Sequence, residues 1–270
     1  MSAHRLVSLY SGSDGNCTFV SSGETSILID AGKSARTLCA KLCEIGSDIG
    51  SIDAIFITHE HTDHTSALET LSKKYHIPIH IADESAKKFD RDPNAAVHSC
   101  LVRHDPEFCV EIGDIRVTSF PTPHDSRMSV GYRIEIGLSD QKHTLGVATD
   151  IGYVTQSIKD GLCGCQAVVL ESNHDVQMLM DGPYPYDLKL RIRSKRGHLS
   201  NCDCAVLAAE LAKSGTKGFI LAHLSLENNQ PELAFDEVHS AISDADVEIC
   251  VASPDMPTEL ACCGGSQCSQ

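Results

Sequence analysis

The feature that most constrains this chain is a cluster of metal-binding side chains between an apolar strand and a helix. Residues Asp53-Ala-Ile-Phe-Ile-Thr58 read as a short buried strand, and His59-Glu-His61-Thr-Asp63-His64 follows directly. Neutral imidazoles and carboxylates are ligands that zinc and similar ions accept. Three histidines and an aspartate exceed what one tetrahedral ion needs if water keeps a position, so the cluster indicates two ions. The alternative, a solvated His-rich loop, is disfavoured by the strand that carries it.

The rest of the chain alternates β-rich runs with helical patterns, which predicts the α/β class. Predicted strands cover 5–10, 17–21, 25–30, 54–58, 77–82, 115–120, 129–136, 144–149, 166–170, 218–222 and 247–251. Predicted helices cover 34–45, 64–75, 201–213 and 232–242. The stretch 90–106 reads as irregular, and the small, polar tail from Ala261 is expected to be frayed. No linker rich in Pro, Gly or Ser interrupts the pattern, so a single domain over residues 1–270 is expected.

Composition narrows the function classes. The 37 acidic against 22 basic residues give a formal net charge of −15, which disfavours non-specific attraction to nucleic acid. The absence of Trp and the aromatic content of 5% argue against large base-stacking platforms. The N-terminus shows neither a signal peptide nor a membrane span, so a cytoplasmic protein is expected.

The thirteen cysteines contain no Cys-x-x-Cys pair. In a reducing compartment they are expected to be small buried residues or free thiols. A structural zinc site or a redox pair is the alternative.

The cluster His59-x-His61-x-Asp63-His64 resembles the signature of the metallo-β-lactamase superfamily, and that family's other motifs follow in order. Asp30 lies in Ile27-Leu-Ile-Asp-Ala-Gly32, His124 in Pro121-Thr-Pro-His-Asp125, Asp150 in Gly146-Val-Ala-Thr-Asp150 and His223 in Leu221-Ala-His-Leu224. Each of these residues comes just after a predicted strand or at its end. Five ordered motifs over residues 30–223 are far more specific than any one of them.

The resemblance implies an αββα sandwich, in which two mixed β-sheets are flanked by helices. It implies one ion held by His59, His61 and His124, a second held by Asp63, His64 and His223, and Asp150 bridging them. Asp30 would not bind an ion itself but would hold the geometry of the ligands that do. The cofactors would be two divalent ions, and zinc, manganese and iron all suit these ligands. Such a pair activates water without a protein nucleophile, and His61 in place of an acidic residue favours hydrolysis over redox chemistry.

Three further segments bear on the substrate. The glycine-rich turn Ser11-Gly-Ser-Asp-Gly-Asn16 could bring backbone N–H groups to an anion, although an ordinary hairpin turn is equally consistent. Leu170-Glu-Ser-Asn-His-Asp175 follows a buried strand, where a lone His174 could also be structural. Lys189–Asn201 contains five basic residues within eight positions and ends in Gly-His-Leu-Ser-Asn. It is either a solvated face or a phosphate-binding segment.

Together with Gly182-Pro-Tyr-Pro185, these segments resemble the YycJ/WalJ-type branch of the superfamily. The resemblance implies a metal-dependent phosphodiesterase, a 5′-to-3′ exonuclease with DNA as its substrate. The catalytic residues would be Asp63, His174 and His198, with His198 protonating the leaving oxygen. The phosphate contacts would come from seven residues: Ser13, Asn16, His174, Arg196, His198, Ser200 and Asn201.

Two rival functions remain open at the level of sequence. A hydrolase of a small thioester, lactone or lactam would use the same seven ligands, and only the basic segment and the Gly-His-Leu-Ser-Asn turn favour phosphodiesters. A catalytically silent metal-binding module is disfavoured because all seven ligands are present. The chain also lacks the inserted second domain of the larger RNA-processing members, and the sequence does not indicate an oligomeric state.

Overall fold

Two seven-stranded sheets form the centre of the structure, a computed structural model that describes residues 4–91, 96–137, 142–242 and 246–261. Six strands of the first sheet are β1 (Arg5–Tyr10), β2 (Cys17–Ser21), β3 (Ser26–Ile29), β4 (Ala54–Phe56), β5 (Ile79–Ala82) and β6 (Leu101–His104). The second sheet contains β7 (Cys109–Ile112), β8 (Ile115–Thr122), β9 (Ser129–Ile136), β10 (His143–Ala148), β11 (Ala167–Glu171), β12 (Gly218–Ala222) and β13 (Glu248–Val251). The last strand, β14 (Thr258–Glu259), returns to the edge of the first sheet beside β1.

Both sheets are mixed, and they share one plan. The first has the order β14-β1-β2-β3-β4-β5-β6 and is parallel from β3 to β6. The second has the order β13-β12-β11-β10-β9-β8-β7 and is parallel from β10 to β13. Because parallel strands end at the same edge of a sheet, residues that follow β3 and β4, or β10, β11 and β12, lie close together.

The helices lie outside the two sheets or in the loops at their edge. They are α1 (Ala35–Glu44), α2 (Thr62–Thr65), α3 (Leu68–Tyr75), α4 (Asp83–Ala86), α5 (Ala96–Cys100), α6 (Gln156–Leu162), α7 (Val176–Asp181), α8 (Tyr186–Ile192), α9 (Asn201–Lys213) and α10 (Pro231–Ala241). The first sheet packs on Leu38 of α1 and Leu71 of α3, and the second packs on Leu207 of α9.

Alternation along β4 shows how the layers form. Ile55 faces the helical layer, while Ala54 and Phe56 face the second sheet, where Phe56 packs against Tyr132 of β9. A strand buried on both faces requires the near-continuous apolar run that the sequence shows. The four layers confirm the αββα sandwich.

The structure departs from the predicted elements in several places, and α4, β7 and β14 are among the elements that were not predicted. The stretch 90–106, expected to be irregular, contains α5 and β6, and the helix expected over 64–75 is divided into α2 and α3. Helices α6, α7 and α8 were not predicted at all. Each of them has at most seven residues, too few for a helical period to show. The expected fraying of the tail concerns residues that, after Ala261, lie outside the described part of the chain.

Two other expectations can be compared with the described residues. The ten cysteines among them are free thiols, and Cys17, Cys100, Cys165 and Cys204 are buried. In the described part of the chain, no helix combines the length and the apolar character needed to span a membrane.

Candidate metal centre

The centre lies where strands of both sheets end at one edge of the sandwich. Asp30, Asp150 and His223 follow β3, β10 and β12, and each has a positive φ, of 64°, 57° and 58°. This left-handed conformation is uncommon for non-glycine residues, and Asp and His are among those that tolerate it best. Backbone strain of this kind is typical of functional sites.

The loop after β4 is fixed by main-chain contacts with the first sheet. The carbonyl of Asp63 accepts a hydrogen bond from the N–H of Asn16 at 2.8 Å, and the N–H of Ala31 donates to the carbonyl of His64 at 2.9 Å. A Cβ atom at Gly32 would lie 1.6 Å from the Asp63 carbonyl oxygen, so only glycine permits this approach. The first turn of α2 is thereby held against the end of β3.

One group of ligand atoms comes from His59, His61 and His124, whose ring nitrogens lie within 4.8 Å of one another. His124 donates from Nδ1 to the carbonyl of Gly197 at 3.1 Å, which leaves Nε2 as the nitrogen with a lone pair. A Cβ atom at Gly197 would lie 1.9 Å from the Ile192 carbonyl, so a glycine is required at this contact too. Burial lowers the pKa of His59 and His124, which keeps both rings neutral and able to bind a cation.

A second group comes from Asp63, His64 and His223. His64 Nδ1 lies 2.8 Å from Asp30 Oδ2, and its Nε2 lies 3.3 Å from Asp63 Oδ2. Asp30 is itself held by the N–H of Thr58 at 2.8 Å. The buried carboxylate of Asp30 therefore fixes the orientation of the His64 ring.

Asp150 connects the two groups. Its Oδ2 lies 3.2 Å from His64 Nε2, and its Oδ1 lies 3.6 Å from His124 Nε2. Burial would raise the pKa of this carboxyl, but the surrounding imidazoles outweigh that effect and hold it well below its usual range. Asp150 is thus an ionised carboxylate placed between two sets of imidazoles.

The unpartnered atoms test whether a cation fits. His59 Nε2, Asp150 Oδ2 and His223 Nε2 are buried and have no hydrogen-bond partner among the described residues. A buried polar atom without a partner costs about 1–3 kcal/mol, and several in one place are not expected by chance. Because these atoms belong to groups whose lone pairs converge, divalent cations would satisfy them together. The donor set of imidazoles and carboxylates suits such ions.

Glu171, the last residue of β11, is a functional residue that sequence reasoning missed. Its fully buried carboxylate lies 2.9 Å from His198 Nδ1 and 2.8 Å from His223 Nδ1, and it accepts the N–H groups of Ile151 and Leu199. Burial alone would raise its pKa, but His198 and the hydrogen bonds lower it to about 2. The signals in the sequence were a glutamate closing an otherwise apolar strand and its place in the segment Leu170-Glu-Ser-Asn-His-Asp175, neither of which assigned it a role.

Replacement Glu171→Gln is expected to weaken metal binding about 10–100-fold and to lower the free energy of unfolding by about 2–3 kcal/mol. The amide cannot accept all four N–H donors, and its NH₂ group faces donors rather than acceptors. Metal titration and chemical denaturation of the metal-free protein measure the two effects. Glu210→Gln, which removes a half-exposed partner of Lys159, is the matched control and should change stability by less than about 1 kcal/mol. Wild-type values for Glu171→Gln would contradict this role.

Two cavities adjoin the centre, and His198 lines both. The Tyr184 cavity, of about 210 Å³, has a polar side formed by Ser13, Asn173 and His198 and an apolar side formed by Tyr184 and Leu188. The His174 cavity, of about 150 Å³, is lined by His174, Arg193, His198, Ser200 and Asp203. His174 is 2% exposed, and its Nδ1 has no partner among the described residues.

The remaining predicted phosphate contacts lie in other settings. The amide oxygen of Asn16 accepts hydrogen bonds from Ser11 and Gly12 within the first turn, while its nitrogen lies 3.3 Å from His64 Nε2. Asn201 is buried in a network with Ser172 and Asn229. The side chain of Arg196 is exposed. The basic residues that line the two cavities are Arg191 and Arg193, on and just after α8.

Comparison with known proteins gives a consistent result. Residues 25–224 match the Beta-lactamase superfamily domain. The chain is 34% identical to exodeoxyribonuclease YycJ of Bacillus anthracis over 93% of its length and 96% of the relative's. It is 33% identical to exodeoxyribonuclease WalJ of Streptococcus pneumoniae over 93% and 95%. The metallo-β-lactamase fold protein YhfI of Bacillus subtilis superposes with a TM-score of 0.71 at 18% identity, covering 96% of this chain and 100% of that one.

Proposed function

The chain belongs to the metallo-β-lactamase superfamily, in the branch of YycJ and WalJ, and on that premise we propose that it is a metal-dependent 5′-to-3′ exodeoxyribonuclease. The observation that carries the proposal is the pair of ligand groups joined by Asp150, which lies beside a cavity with polar, basic and apolar walls. Binding of a nucleotide phosphodiester would use each of these features: cations and hydrogen-bond donors would contact the phosphate, and the apolar wall would contact a base.

His59, His61 and His124 would hold one divalent ion, and Asp63, His64 and His223 would hold the other, with Asp150 shared between them. Zinc, manganese and iron remain the candidates. When bound, such a pair supplies a water of lowered pKa and neutralises charge on phosphate oxygens. Asp30 orients His64 and Glu171 orients His223, so both ligands are held before an ion arrives.

His198 is the residue proposed to protonate the leaving oxygen. Its Nδ1 is engaged by Glu171, so the proton would be given from Nε2. Burial lowers the pKa of His198, but the Glu171 carboxylate more than offsets this and raises it, which favours the protonated ring. Burial lowers the pKa of His174 to about 4, and its neutral ring would serve as a hydrogen-bond donor to a phosphate oxygen.

The net charge of −15 does not oppose DNA binding at this site, because the local charge differs. Arg191 and Arg193 line the cavities together with Asp125 and Asp203, so the positive charge at the site would come mainly from bound divalent ions. Ser13 and Ser200 line the cavity walls as proposed phosphate contacts. Tyr184 offers a ring on which a terminal base can stack, a contact that is tolerant of sequence.

DNA as the substrate and the free thiols both favour a cytoplasmic location.

The test is a nuclease assay on the pure protein with a 5′-labelled DNA duplex in the presence of manganese or zinc. We expect stepwise release of 5′-terminal nucleotides that a chelator abolishes and added metal restores. The same preparation, analysed for bound elements, is offered thioester and lactone substrates in parallel. Turnover of a thioester or lactone without release of nucleotides would contradict the proposal and favour the small-ester hydrolase.

A further inference from the structure

Asp125, which follows His124 in the chain, has a carboxylate oxygen that faces the first ligand group. Its Oδ1 lies 3.2 Å from His124 Nε2 and 3.9 Å from His61 Nε2. This oxygen is buried and has no hydrogen-bond partner among the described residues. It therefore belongs with the unpartnered atoms of His59, Asp150 and His223 that converge on the same centre.

The contact between Asp125 and His124 is not a hydrogen bond. His124 donates from Nδ1 to the Gly197 carbonyl, so its Nε2 presents a lone pair. A carboxylate oxygen also presents lone pairs, and two acceptors facing each other at 3.2 Å repel unless a cation lies near both. Ligand atoms bound to one ion at about 2.0–2.2 Å lie about 3.0–3.5 Å apart in tetrahedral or octahedral geometry. The 3.2 Å separation from His124 Nε2 falls within that range, and the 3.9 Å separation from His61 Nε2 lies somewhat above it.

Arg191 of α8 holds the other oxygen of the same carboxylate. Its Nε donates to Asp125 Oδ2 at 2.8 Å, and its Nη2 contacts the same atom. Because Oδ2 is engaged by the guanidinium, the side chain cannot rotate freely, and Oδ1 remains directed at the histidines. Arg191 also lines the Tyr184 cavity, so this contact connects the cavity wall to the ligand group.

We propose that Asp125 is an additional ligand of the ion held by His59, His61 and His124, and that Arg191 is its positioning residue. The inference rests on the proposed two-metal centre and goes beyond its seven ligands. A further carboxylate oxygen raises the number of available ligands above the four typical of zinc. It favours an ion that accepts six ligands and carboxylate oxygen, such as Mn²⁺.

The experiment measures metal affinity without relying on catalysis. Metal-free protein is titrated with Mn²⁺, free Mn²⁺ is followed by electron paramagnetic resonance, and Zn²⁺ affinity is read from the Mn²⁺ that Zn²⁺ displaces, for the wild type, Asp125→Asn and Arg191→Gln. We expect Asp125→Asn to weaken one of the two Mn²⁺-binding events at least about tenfold and to weaken Zn²⁺ binding by a smaller factor. Arg191→Gln leaves the carboxylate in place and should give a smaller loss at the same site. Asp187→Asn, an exposed carboxylate on the same helix, is the matched control and should bind both ions like the wild type.

Asn has the size of Asp, and thermal melting of the metal-free variants checks that they fold alike. Wild-type affinity for both Mn²⁺ ions in folded Asp125→Asn would overturn the proposal, whether or not nuclease activity changes. Loss in Asp125→Asn with wild-type affinity in Arg191→Gln would remove Arg191 from it. Absence of nuclease activity in the wild type with two bound ions would instead contradict the proposed function and leave the ligand assignment standing.

Discussion

Asp150→Asn is expected to lose the coupled pair of bound ions and to reduce the rate of DNA hydrolysis by more than about 100-fold. This loss is larger than the loss expected when a residue that only orients a metal ligand is replaced. Asp150 is the residue whose carboxylate reaches both ligand groups. Asparagine is the informative replacement because it keeps the size of the side chain and tolerates the positive φ of 57°. Alanine would add backbone strain to the loss of charge.

Elemental analysis and the nuclease assay on one preparation measure the two losses together. Asp30→Asn is the graded control, since Asp30 shares the left-handed backbone but, among the proposed ligands, contacts only His64, through Nδ1. We expect it to lose about 10–100-fold in affinity or activity, less than Asp150→Asn. Full activity of Asp150→Asn without bound metal would refute the two-metal mechanism.

His198→Asn is expected to reduce hydrolysis of DNA by about 10²–10⁴-fold, the usual contribution of a positioned general acid. The asparagine amide can occupy the place of Nδ1 and keep the hydrogen bond to Glu171, whereas the Nε2 proton is lost. A leaving group that needs no proton should bypass the defect. We therefore expect a much smaller loss on a p-nitrophenyl phosphodiester than on DNA.

The two substrates are compared at saturating metal, with His239→Asn on α10 as a surface control. Metal content of His198→Asn should equal that of the wild type, because His198 is absent from the proposed ligand set. Equal losses on DNA and on the p-nitrophenyl substrate would exclude proton donation and leave His198 as a phosphate contact. Loss of bound metal would instead make it a ligand, together with Glu171, His223 and Asp150, whose ligand atoms lie near its own.

The sequence predicted most of the regular structure, and the elements it missed are short. Long elements with a clear period were found, as in α9, where Asn201–Lys213 was predicted and observed with the same bounds. Short helices such as α7 and α8 were not found, because six or seven residues bury too few side chains to produce a pattern. Because α8 was not predicted, the secondary structure of the basic run 189–196 was not predicted either.

What the sequence by itself determined was the position of the motifs at the ends of strands, and their resemblance to those of the superfamily implied the seven proposed ligands. It could not show partners that are distant in the chain. Glu171 contacts His198 and His223, 27 and 52 residues away, and Asp125 is held by Arg191, 66 residues away. Nothing local marks a glutamate or an aspartate as such a partner. Only the packing of both sheets and α8 around one edge decides which carboxylates are buried, which nitrogen of each histidine keeps its lone pair, and which acceptors face each other across the centre.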